Sequence, residues 1–468
     1  MGALDVRASS FAMPDHDRFH YDGFALDPAT SSLTCRYSTG THHFTERYTF
    51  HPGGGEPDGD AGSAWDHPAL GAAARLLFLL AGVSYYKTTA APCIDFGDLP
   101  TTVAERDFLR RYYVQGLAEF AYRNGLDLRG IVLEGPEARG VPAAAYRAAP
   151  GHPLIPFGGG IDSIVTVDGL AAHHPGAALC IVSPPGDRFA AIEDSATITG
   201  LPVTRITREI DPQVRRSDKL GFLNGHVPVT AVITGATLVA AVLEQRDAVV
   251  LSNEWSASVP TVVADGHAVN HQWSKGEEFE QTFGDLVGAS LGPGIAVFSW
   301  LRPRSELWVA RRFAELSAYH RSFRSCNRAF HQDPARRLDH WCGRCDKCCF
   351  VDLVLAPFMA RADLDTVFGG AEPLEDEANL ARFESLVGLG SGAKPFECVG
   401  DAEECRAAAL LAAGRPDRAR SVVIGRLCEA LAGAGLDSGV DEASLLQPRG
   451  AHRIPDFYAP ADLLVRAR

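Results

Sequence analysis

Short apolar runs and segments with helical spacing alternate through the middle of this chain. Five of the runs have the length of buried β-strands. They cover residues 153–157, 178–182, 203–206, 248–252 and 295–299. Strands that alternate with helices predict a parallel sheet covered on both faces. The predicted fold class is therefore α/β, with a parallel doubly wound sheet.

The N-terminal part has a different pattern. Residues 18–51 alternate aromatic or β-branched residues with polar ones around turn-forming breaks, which predicts a hairpin or small meander. A loop rich in glycine and aspartate follows over 52–63, and two helices are predicted at about 67–83 and 103–124. Residues 135–152, rich in Ala, Pro and Gly, then resemble a linker.

These patterns divide the 468 residues into four predicted regions. An N-terminal α+β region spans 1–150, and a nucleotide-binding α/β domain spans 151–310. A cysteine-rich segment over 311–400 is expected to pack on that domain. The C-terminal region, 401–468, is expected to be helical because of its alanine-rich stretches at 407–413 and 419–432. For this last region we expect only packing or self-association.

Composition narrows the range of partners. Hydrophobic residues make up 46% and charged residues 22%, as in ordinary globular proteins. A net charge of -14 disfavours nucleic acid. The first seven residues lack the basic start of a signal peptide, and no uninterrupted apolar stretch approaches the ~18 residues of a membrane helix. We therefore expect a cytoplasmic protein that binds neither nucleic acid nor a membrane.

A glycine-rich loop, 157–163 (FGGGIDS), follows the first predicted strand of the sheet and opens an apolar helix. Gly158, Gly159 and Gly160 allow the backbone to approach a phosphate, and helix N-terminal amides point at it. Ser163 adds a hydroxyl donor. Asp162 would repel a bare phosphate, so it indicates magnesium or a structural role at the helix start. The alternative for the whole loop is a helix-capping turn without a ligand.

The glycine loop resembles the PP-loop of ATP pyrophosphatases, whose pattern is Ser-Gly-Gly-x-Asp-Ser. The P-loop and dinucleotide signatures do not fit, since no lysine follows and the glycine spacing differs. Gly158 replaces the first serine, which places one phosphate contact in doubt. The resemblance implies a sheet of PP-loop (adenine nucleotide α-hydrolase-like) type and cleavage of ATP between its α- and β-phosphates.

Four of the eleven cysteines cluster between Cys342 and Cys349. Together with Cys326, the thiols of Cys342, Cys345 and Cys348 suffice for a closed, structural zinc site, in which Cys349 could replace Cys348. Reduced core thiols or a redox-active Cys-x2-Cys pair are the alternatives. The arrangement resembles the zinc knot of 7-cyano-7-deazaguanine synthase, which is a PP-loop enzyme.

Three segments together resemble the UDP-N-acetylmuramoyl-L-alanyl-L-glutamate epimerases of peptidoglycan synthesis. They are 81–87 (AGVSYYK), 157–163 (FGGGIDS) and 341–348 (WCGRCDKC), and 252–258 (SNEWSAS) and 269–280 (VNHQWSKGEEFE) also look familial. The resemblance implies that ATP and magnesium are used to invert the terminal L-glutamate, with release of AMP and diphosphate. Adenylation of the glutamate carboxylate would remove its negative charge before the α-proton is taken.

Inversion requires removal of a proton and its return to the opposite face. His271 is a candidate because histidine titrates near neutrality, and Lys275 could be a base or a charge stabiliser. A solvated histidine and a phosphate-contacting lysine are the alternatives. Glu254 is expected to bind magnesium or to cap a helix.

Substrate contacts are predicted near the end of the first helix. Tyr85, Tyr86 and Lys87 could stack on a uracil ring and meet a diphosphate. Alternatively, the tyrosines are core residues that close a helix end. Asn253, just after the run at 248–252, is a further candidate because ligands bind beyond the carboxyl ends of parallel strands.

Other functions remain open at this point. One is a different PP-loop enzyme that activates a carboxylate, such as a 7-cyano-7-deazaguanine synthase, although that compact family would not need the 150 or so residues before the loop. Another is tRNA modification, which the acidic charge disfavours. A non-catalytic nucleotide-binding or zinc-organised module is the third.

Overall fold

The computed structural model describes residues 17–53, 64–138, 143–264, 266–331, 333–389, 394–437 and 442–464. Most of the loop expected at 52–63 and the first seven residues therefore lie outside the described parts. The described residues of the linker expected at 135–152 contain neither a helix nor a strand.

The strands form one large sheet and a separate hairpin. They are β1 (Arg18–Asp27), β2 (Ser32–Thr39), β3 (His42–His51), β4 (Cys93–Asp95), β5 (Val132–Glu134), β6 (Pro153–Pro156), β7 (Ala178–Ser183), β8 (Val203–Glu209), β9 (Ala248–Leu251), β10 (Val262–Ala264), β11 (His267–Val269) and β12 (Ala296–Ser299). In the large sheet the order is β12-β9-β6-β7-β8-β3-β2-β1-β4-β5, and β10 pairs with β11 in the hairpin.

Helices lie between many of these strands and are the predominant regular elements in the second half of the chain. They are α1 (Pro68–Ala81), α2 (Val83–Tyr86), α3 (Val103–Gly116), α4 (Ala118–Asn124), α5 (Ile161–Ala171), α6 (Ala190–Thr199), α7 (Ser217–Leu220), α8 (Val229–Leu243), α9 (Glu277–Leu291), α10 (Glu306–Ala314), α11 (Asp346–Leu355), α12 (Arg361–Val367), α13 (Leu380–Leu386), α14 (Ala402–Ala413), α15 (Val422–Gly433), α16 (Glu442–Leu445) and α17 (Ala461–Leu464). The helices expected in the first 130 residues and after residue 400 are thus present.

The five strands expected from the apolar runs form the parallel part of the sheet. In the order β12-β9-β6-β7-β8, every neighbouring pair is parallel. Counted along the chain, β6 is the first of these strands and lies in the middle, with later strands added on both sides. The crevice between β6 and β9 is therefore a topological switch point, where open α/β sheets bind ligands.

Successive side chains of these strands point into two different hydrophobic cores. Leu154 of β6 and Val249 of β9 lie in the core that contains α1 and α8. Their neighbours Ile155 and Val250 lie in the core that contains α5 and α10. Because side chains alternate along a strand, burial of both sets means that helices cover both faces of the sheet. The α/β fold class is confirmed.

The sheet is mixed rather than wholly parallel. Strand β8 pairs antiparallel with β3, and β3, β2 and β1 form the expected meander. Strands β4 and β5 then extend the sheet in parallel beyond β1. The meander joins the sheet because β8 would otherwise present an unpaired edge. The N-terminal strands are thus continuous with the parallel half of the sheet.

The first helical stretch is more apolar than expected, since no stretch of membrane-helix length was predicted. Pro68–Tyr86 is long and apolar enough to cross a membrane, by length and composition, and no other described helix is. However, 83% of its most apolar window is buried inside the protein, where α1 packs against α8 and lies beneath β1. This helix is therefore a core element of the fold.

The described C-terminal residues pack back onto the sheet. Helices α14 and α15 contribute to the same core as α5 and α10. Beyond them, the indole nitrogen of Trp300, which follows β12, donates a hydrogen bond to the Tyr458 carbonyl oxygen at 3.1 Å. Arg304 is buried and forms an ion pair with Asp462. The chain's last described segment therefore packs against the parallel half of the sheet, beside β12.

Candidate active site

The glycine loop lies at the switch point, directly after β6. Gly159 has φ +70°, and a Cβ atom there would lie 2.5 Å from the carbonyl oxygen of Ala191, so this position requires glycine. Gly160 precedes α5, whose N-terminus has no side-chain cap. The first amides of α5 are thus not capped by a side chain, and such amides can bind an anion.

A cavity of about 300 Å³ lies between the glycine loop and the end of β9. It is lined by Gly158, Gly160, Asp162, Ser163, Asn253 and Lys275, among others. Two buried polar atoms at its β9 side, Ser252 Oγ and Asn253 Nδ2, have no hydrogen-bond partner in the described protein. Because such atoms are costly to leave unpaired, they favour a polar ligand in this cavity.

Asp162 at the start of α5 and Glu254 after β9 are close enough for their charges to interact. Burial and the negative charge of Glu254 raise the pKa of Asp162 to about 6, although Lys347 and Lys275 oppose the shift. Glu254 is buried and accepts a hydrogen bond from the Ser256 hydroxyl at 3.1 Å. Its side chain does not cap the short 3-10 helix that follows, so the helix-capping role weighed for Glu254 is not found.

Basic groups approach the same place from residues 271–275. Lys275 lines the cavity, whereas His271 lies further along and places Nδ1 2.5 Å from Glu119 Oε2. The rings of His271 and His226 lie 4.2 Å apart. Burial lowers the pKa of His271, but hydrogen bonds with Cys398 and Glu119 outweigh it and raise the pKa to about 9. His271 is therefore an imidazolium at neutral pH.

Family models match almost the whole of this chain. The MurL N-terminal domain matches residues 10–300, which include the glycine loop, Glu254 and His271. The MurL C-terminal domain matches residues 322–440, which include the clustered cysteines. This chain belongs to the MurL family.

Curated MurL relatives carry the name UDP-N-acetyl-alpha-D-muramoyl-L-alanyl-L-glutamate epimerase. The protein of Xanthomonas oryzae pv. oryzae (strain MAFF 311018) is 38% identical over 387 residues, which cover 83% of this chain and 84% of the relative. The Micromonospora sp. protein is 37% identical, covering 95% of this chain and 97% of its own. The Salinispora tropica protein is 36% identical, covering 95% of each. No solved structure matches this chain. The chain is therefore an epimerase, which is a type of isomerase.

A cysteine that the sequence analysis did not select lies in the same site of this MurL protein. Burial raises the pKa of the Cys398 thiol, but Lys275, His271 and Lys347 outweigh burial and lower it to about 6. Lys347 also donates a hydrogen bond to the carbonyl oxygen of Cys398. Cys398 is thus a thiolate at neutral pH, surrounded by positive charge.

The four proposed zinc ligands of the MurL C-terminal domain come together. The sulfur atoms of Cys326, Cys342, Cys345 and Cys348 all lie within 4.8 Å of one another. The Cys342–Cys348 and Cys345–Cys348 sulfur pairs are 3.6 and 3.4 Å apart, close to the roughly 3.8 Å edge of a tetrahedral four-thiolate zinc site. Cys349 is buried and lies outside this set, so its suggested exchange with Cys348 is wrong.

The tyrosine pair of the MurL chain does not face the cavity. Tyr85 is fully buried and stacks on Tyr37 and Phe44, with ring centroids 5.2 and 5.0 Å away. Tyr86 is fully buried too and packs against Tyr113. Their predicted stacking on a uracil ring is therefore wrong, because the rings have no exposed face. They are core residues at the end of a helix, which was the alternative interpretation of this pair.

Lys87, the third member of that predicted substrate contact, is also largely buried. Its ammonium group donates hydrogen bonds to Asn224 Oδ1 at 2.7 Å and to the Gly225 carbonyl oxygen at 3.3 Å. Burial lowers its pKa to about 8. Contact between Lys87 and the substrate stays a prediction.

Proposed function

We propose that this chain inverts the terminal glutamyl residue of UDP-N-acetylmuramoyl-L-alanyl-L-glutamate, from L to D, in an ATP-dependent step of peptidoglycan synthesis. In this reaction the glutamate carboxylate attacks the α-phosphate of ATP, and diphosphate leaves. The α-proton is exchanged while the carboxyl group is adenylated. Water then releases AMP and the D-glutamyl product. Because this precursor is made inside the cell, the proposed location is the cytoplasm.

The observation that carries the proposal is the position of the glycine loop. In this epimerase the loop occupies the switch point of a doubly wound sheet, with open helix amides and two carboxylates at one place. That combination suits a triphosphate with a divalent cation. The resemblance of the loop to a PP-loop supports cleavage between the α- and β-phosphates.

Adenylation explains why an epimerase would need ATP. Taking the α-proton beside a free carboxylate would place a second negative charge on an anion. Once the carboxylate is adenylated, it is neutral and can accept the electron pair of the broken C–H bond. Lys275 lines the cavity and would stabilise that developing charge, and the imidazolium of His271 further along would add to the positive potential.

The residues also suit the two proposed metals. Asp162 and Glu254 would hold magnesium, which when bound neutralises the charge of the leaving diphosphate. The four clustered thiolates of Cys326, Cys342, Cys345 and Cys348 would hold a structural zinc that fixes the start of α11. The chemistry assigned to the chain's own residues does not involve that zinc.

The test is the chirality of the terminal glutamate after incubation with UDP-N-acetylmuramoyl-L-alanyl-L-glutamate, ATP and magnesium. We expect D-glutamate in the hydrolysed product and AMP in equal amount, and neither in the ATP-free control. Retained L-glutamate would refute the proposal. If AMP were nevertheless formed with another carboxylate substrate, the function would be a different carboxylate-activating reaction.

A further inference from the structure

A second group of metal-type ligands lies apart from the clustered cysteines. Glu119, His226 and His271 each offer one ligand atom, and these three atoms all lie within 4.8 Å of one another. Two imidazoles and one carboxylate are the protein ligands of many zinc sites, in which a further coordination position stays open. The donor set therefore fits a divalent metal ion of the zinc type.

The three ligands come from three parts of the chain that other contacts hold together. Glu119 belongs to α4, and the last side chain of that helix donates a hydrogen bond to the Asn224 carbonyl oxygen at 3.3 Å, in the loop that carries His226. His271 follows β11, and its backbone amide donates to Thr261 Oγ1 at 3.2 Å. Because these contacts do not use the ligand atoms, they can hold the segments in place with and without a metal.

The distances between the ligand atoms suit a metal with little movement. Glu119 Oε2 is 3.9 Å from His226 Nδ1 and 2.5 Å from His271 Nδ1. Ligand atoms around a tetrahedral zinc ion are roughly 3.4 Å apart, since each lies about 2.0–2.1 Å from the metal. The longer contact is thus close to the required distance. The shorter contact is a hydrogen bond whose proton the metal would displace, and it would widen by roughly 1 Å.

The group is enclosed by protein but reachable from one side. The side chains of Glu119 and His271 are 5 and 12% exposed, whereas that of His226 is 23% exposed. The second oxygen of Glu119, Oε1, accepts a hydrogen bond from Arg123 Nε at 2.7 Å. Such an outer contact orients a ligating carboxylate and leaves Oε2 for the metal. A metal here would therefore have three protein ligands and one position for water.

We propose that Glu119, His226 and His271 bind a zinc ion, separate from the magnesium and the thiolate-bound zinc proposed above. This inference does not depend on the proposed function. The ion replaces the proton between His271 and Glu119, so positive charge stays at this place when the metal binds. Lys275, which lines the cavity, follows His271 by one short 3-10 helix, so the metal would lie close along the chain to the cavity.

Nearby cations make this the weaker of the two zinc sites. Arg123 contacts Glu119 directly, and Lys87 donates to Asn224 Oδ1, two residues before His226. Each of these cations repels a dication, whereas four thiolates carry negative charge of their own. Zinc on the imidazoles and carboxylate should therefore leave when the protein is dialysed against a chelator, while zinc on the cysteines stays.

The first test is the amount of zinc that the dialysed protein takes up. The protein is equilibrated with Zn²⁺ alone, and the bound metal is measured by elemental analysis. We expect wild type to bind about one equivalent more than His226→Ala, whether or not the cysteines already hold zinc. His51→Ala, which changes an exposed histidine of β3, should bind as much as wild type.

A milder variant guards against misfolding of His226→Ala. Glu119→Gln keeps the size of the side chain but removes the charge, and we expect it to raise the dissociation constant for Zn²⁺ at this site roughly 10-fold or more. The melting temperature without added metal shows whether each variant is folded. Unchanged affinity in folded Glu119→Gln would contradict the site.

The second measurement uses Co²⁺ in place of Zn²⁺, in Cys348→Ser, where the thiolate cluster is incomplete. Cobalt bound by imidazoles and a carboxylate absorbs visible light without the strong charge-transfer band that thiolate ligands produce. We expect this spectrum in Cys348→Ser and its loss when His226→Ala is added.

Three outcomes would overturn the inference. Zinc uptake by folded His226→Ala equal to that of wild type would show that the ion binds elsewhere. An equal loss of uptake in His51→Ala would show binding by scattered surface histidines. Wild type that binds no zinc beyond the cysteine cluster would show that this group holds only the proton of its hydrogen bond. None of these outcomes bears on whether the protein forms D-glutamate.

Discussion

At the residue scale, two aspartates of helix α5 differ in what surrounds them. Asp162 lines the cavity beside Glu254, whereas Asp168 forms an ion pair with Arg312 at 3.0 Å on the protein surface. The two positions therefore offer the same substitution on one helix in two environments. Only Asp162, which lines the cavity, is expected to affect the reaction.

We expect Asp162→Asn to lower substrate-dependent AMP release by about 100-fold, because one of two ligands proposed for magnesium is lost. Asp168→Asn should retain close to wild-type release. The measurement is AMP formed per enzyme at saturating ATP. Equal activity of the two variants would contradict the proposed role of Asp162.

The Asp162→Asn substitution should not destabilise the fold. Burial and the charge of Glu254 raise the pKa of Asp162 to about 6, so the folded protein binds this proton more tightly than the unfolded chain does. Stability is therefore lost as pH rises from about 4 through 6, and the ionised carboxylate is a cost at neutral pH. Asp162→Asn removes that cost, and its melting temperature at pH 7 should equal or exceed that of wild type.

Residue positions were predictable where a local pattern carried them. The glycine loop was such a case, since its sequence alone indicates a turn between a strand and a helix. Glu119 and Cys398 were not, because each is a single residue in an ordinary helical or irregular segment and acquires its surroundings only when distant segments meet. Tyr85 and Tyr86 show the opposite case, in which a suggestive pair is used for packing.

At the element scale, the glycine loop contains two neighbouring glycines with different requirements. A Cβ at Gly158 would meet nothing within 4 Å, whereas one at Gly159 would meet Ala191 of helix α6 at a positive φ. We expect Gly159→Ala to lower the free energy of unfolding by roughly 1–3 kcal/mol, and Gly158→Ala to change it little. Urea denaturation of both variants checks this, and similar losses would show that the loop geometry is wrong.

The cysteine cluster allows a comparison between adjacent thiols at the start of α11. Purified protein should contain about one equivalent of zinc, and Cys348→Ser should lose it because a hydroxyl is a poor zinc ligand. Cys349→Ser should keep the metal, since Cys349 lies outside the four-sulfur set. Elemental analysis of the two variants measures the zinc content of each. Zinc well below one equivalent in wild type would remove the structural-zinc proposal.

The elements themselves were largely predictable. Each apolar run at the centre of the chain became a strand of the parallel half, because burial on both faces leaves few polar positions. The pairing of β3 with β8 was not predictable, since strand pairing depends on hydrogen bonds between main-chain groups that carry no sequence signal. From the sequence, the meander was therefore predicted to belong to a separate N-terminal region.

At the scale of the whole molecule, the C-terminal segment should be needed for stability. Removal of residues 442–468 would take away buried Leu445, Ile454 and Tyr458 and would leave Arg304 without Asp462. The lost apolar burial alone is worth roughly 5 kcal/mol. We expect a markedly lower melting temperature and loss of AMP release, because Arg449 stacks on Trp255 next to Glu254. An unchanged melting temperature would contradict this packing.

The antiparallel pairing of β3 with β8 also constrains how the protein can be made. Phe50 lies opposite Ile206, so about 150 residues must be synthesised after the meander before its partner strand exists. Until then, β3 has an open edge on the growing chain, and such long-range pairings form slowly. The edge of β3 therefore stays unpaired during synthesis until residue 209 has been translated. Up to that point, we expect this edge to be a binding site for a nascent-chain chaperone.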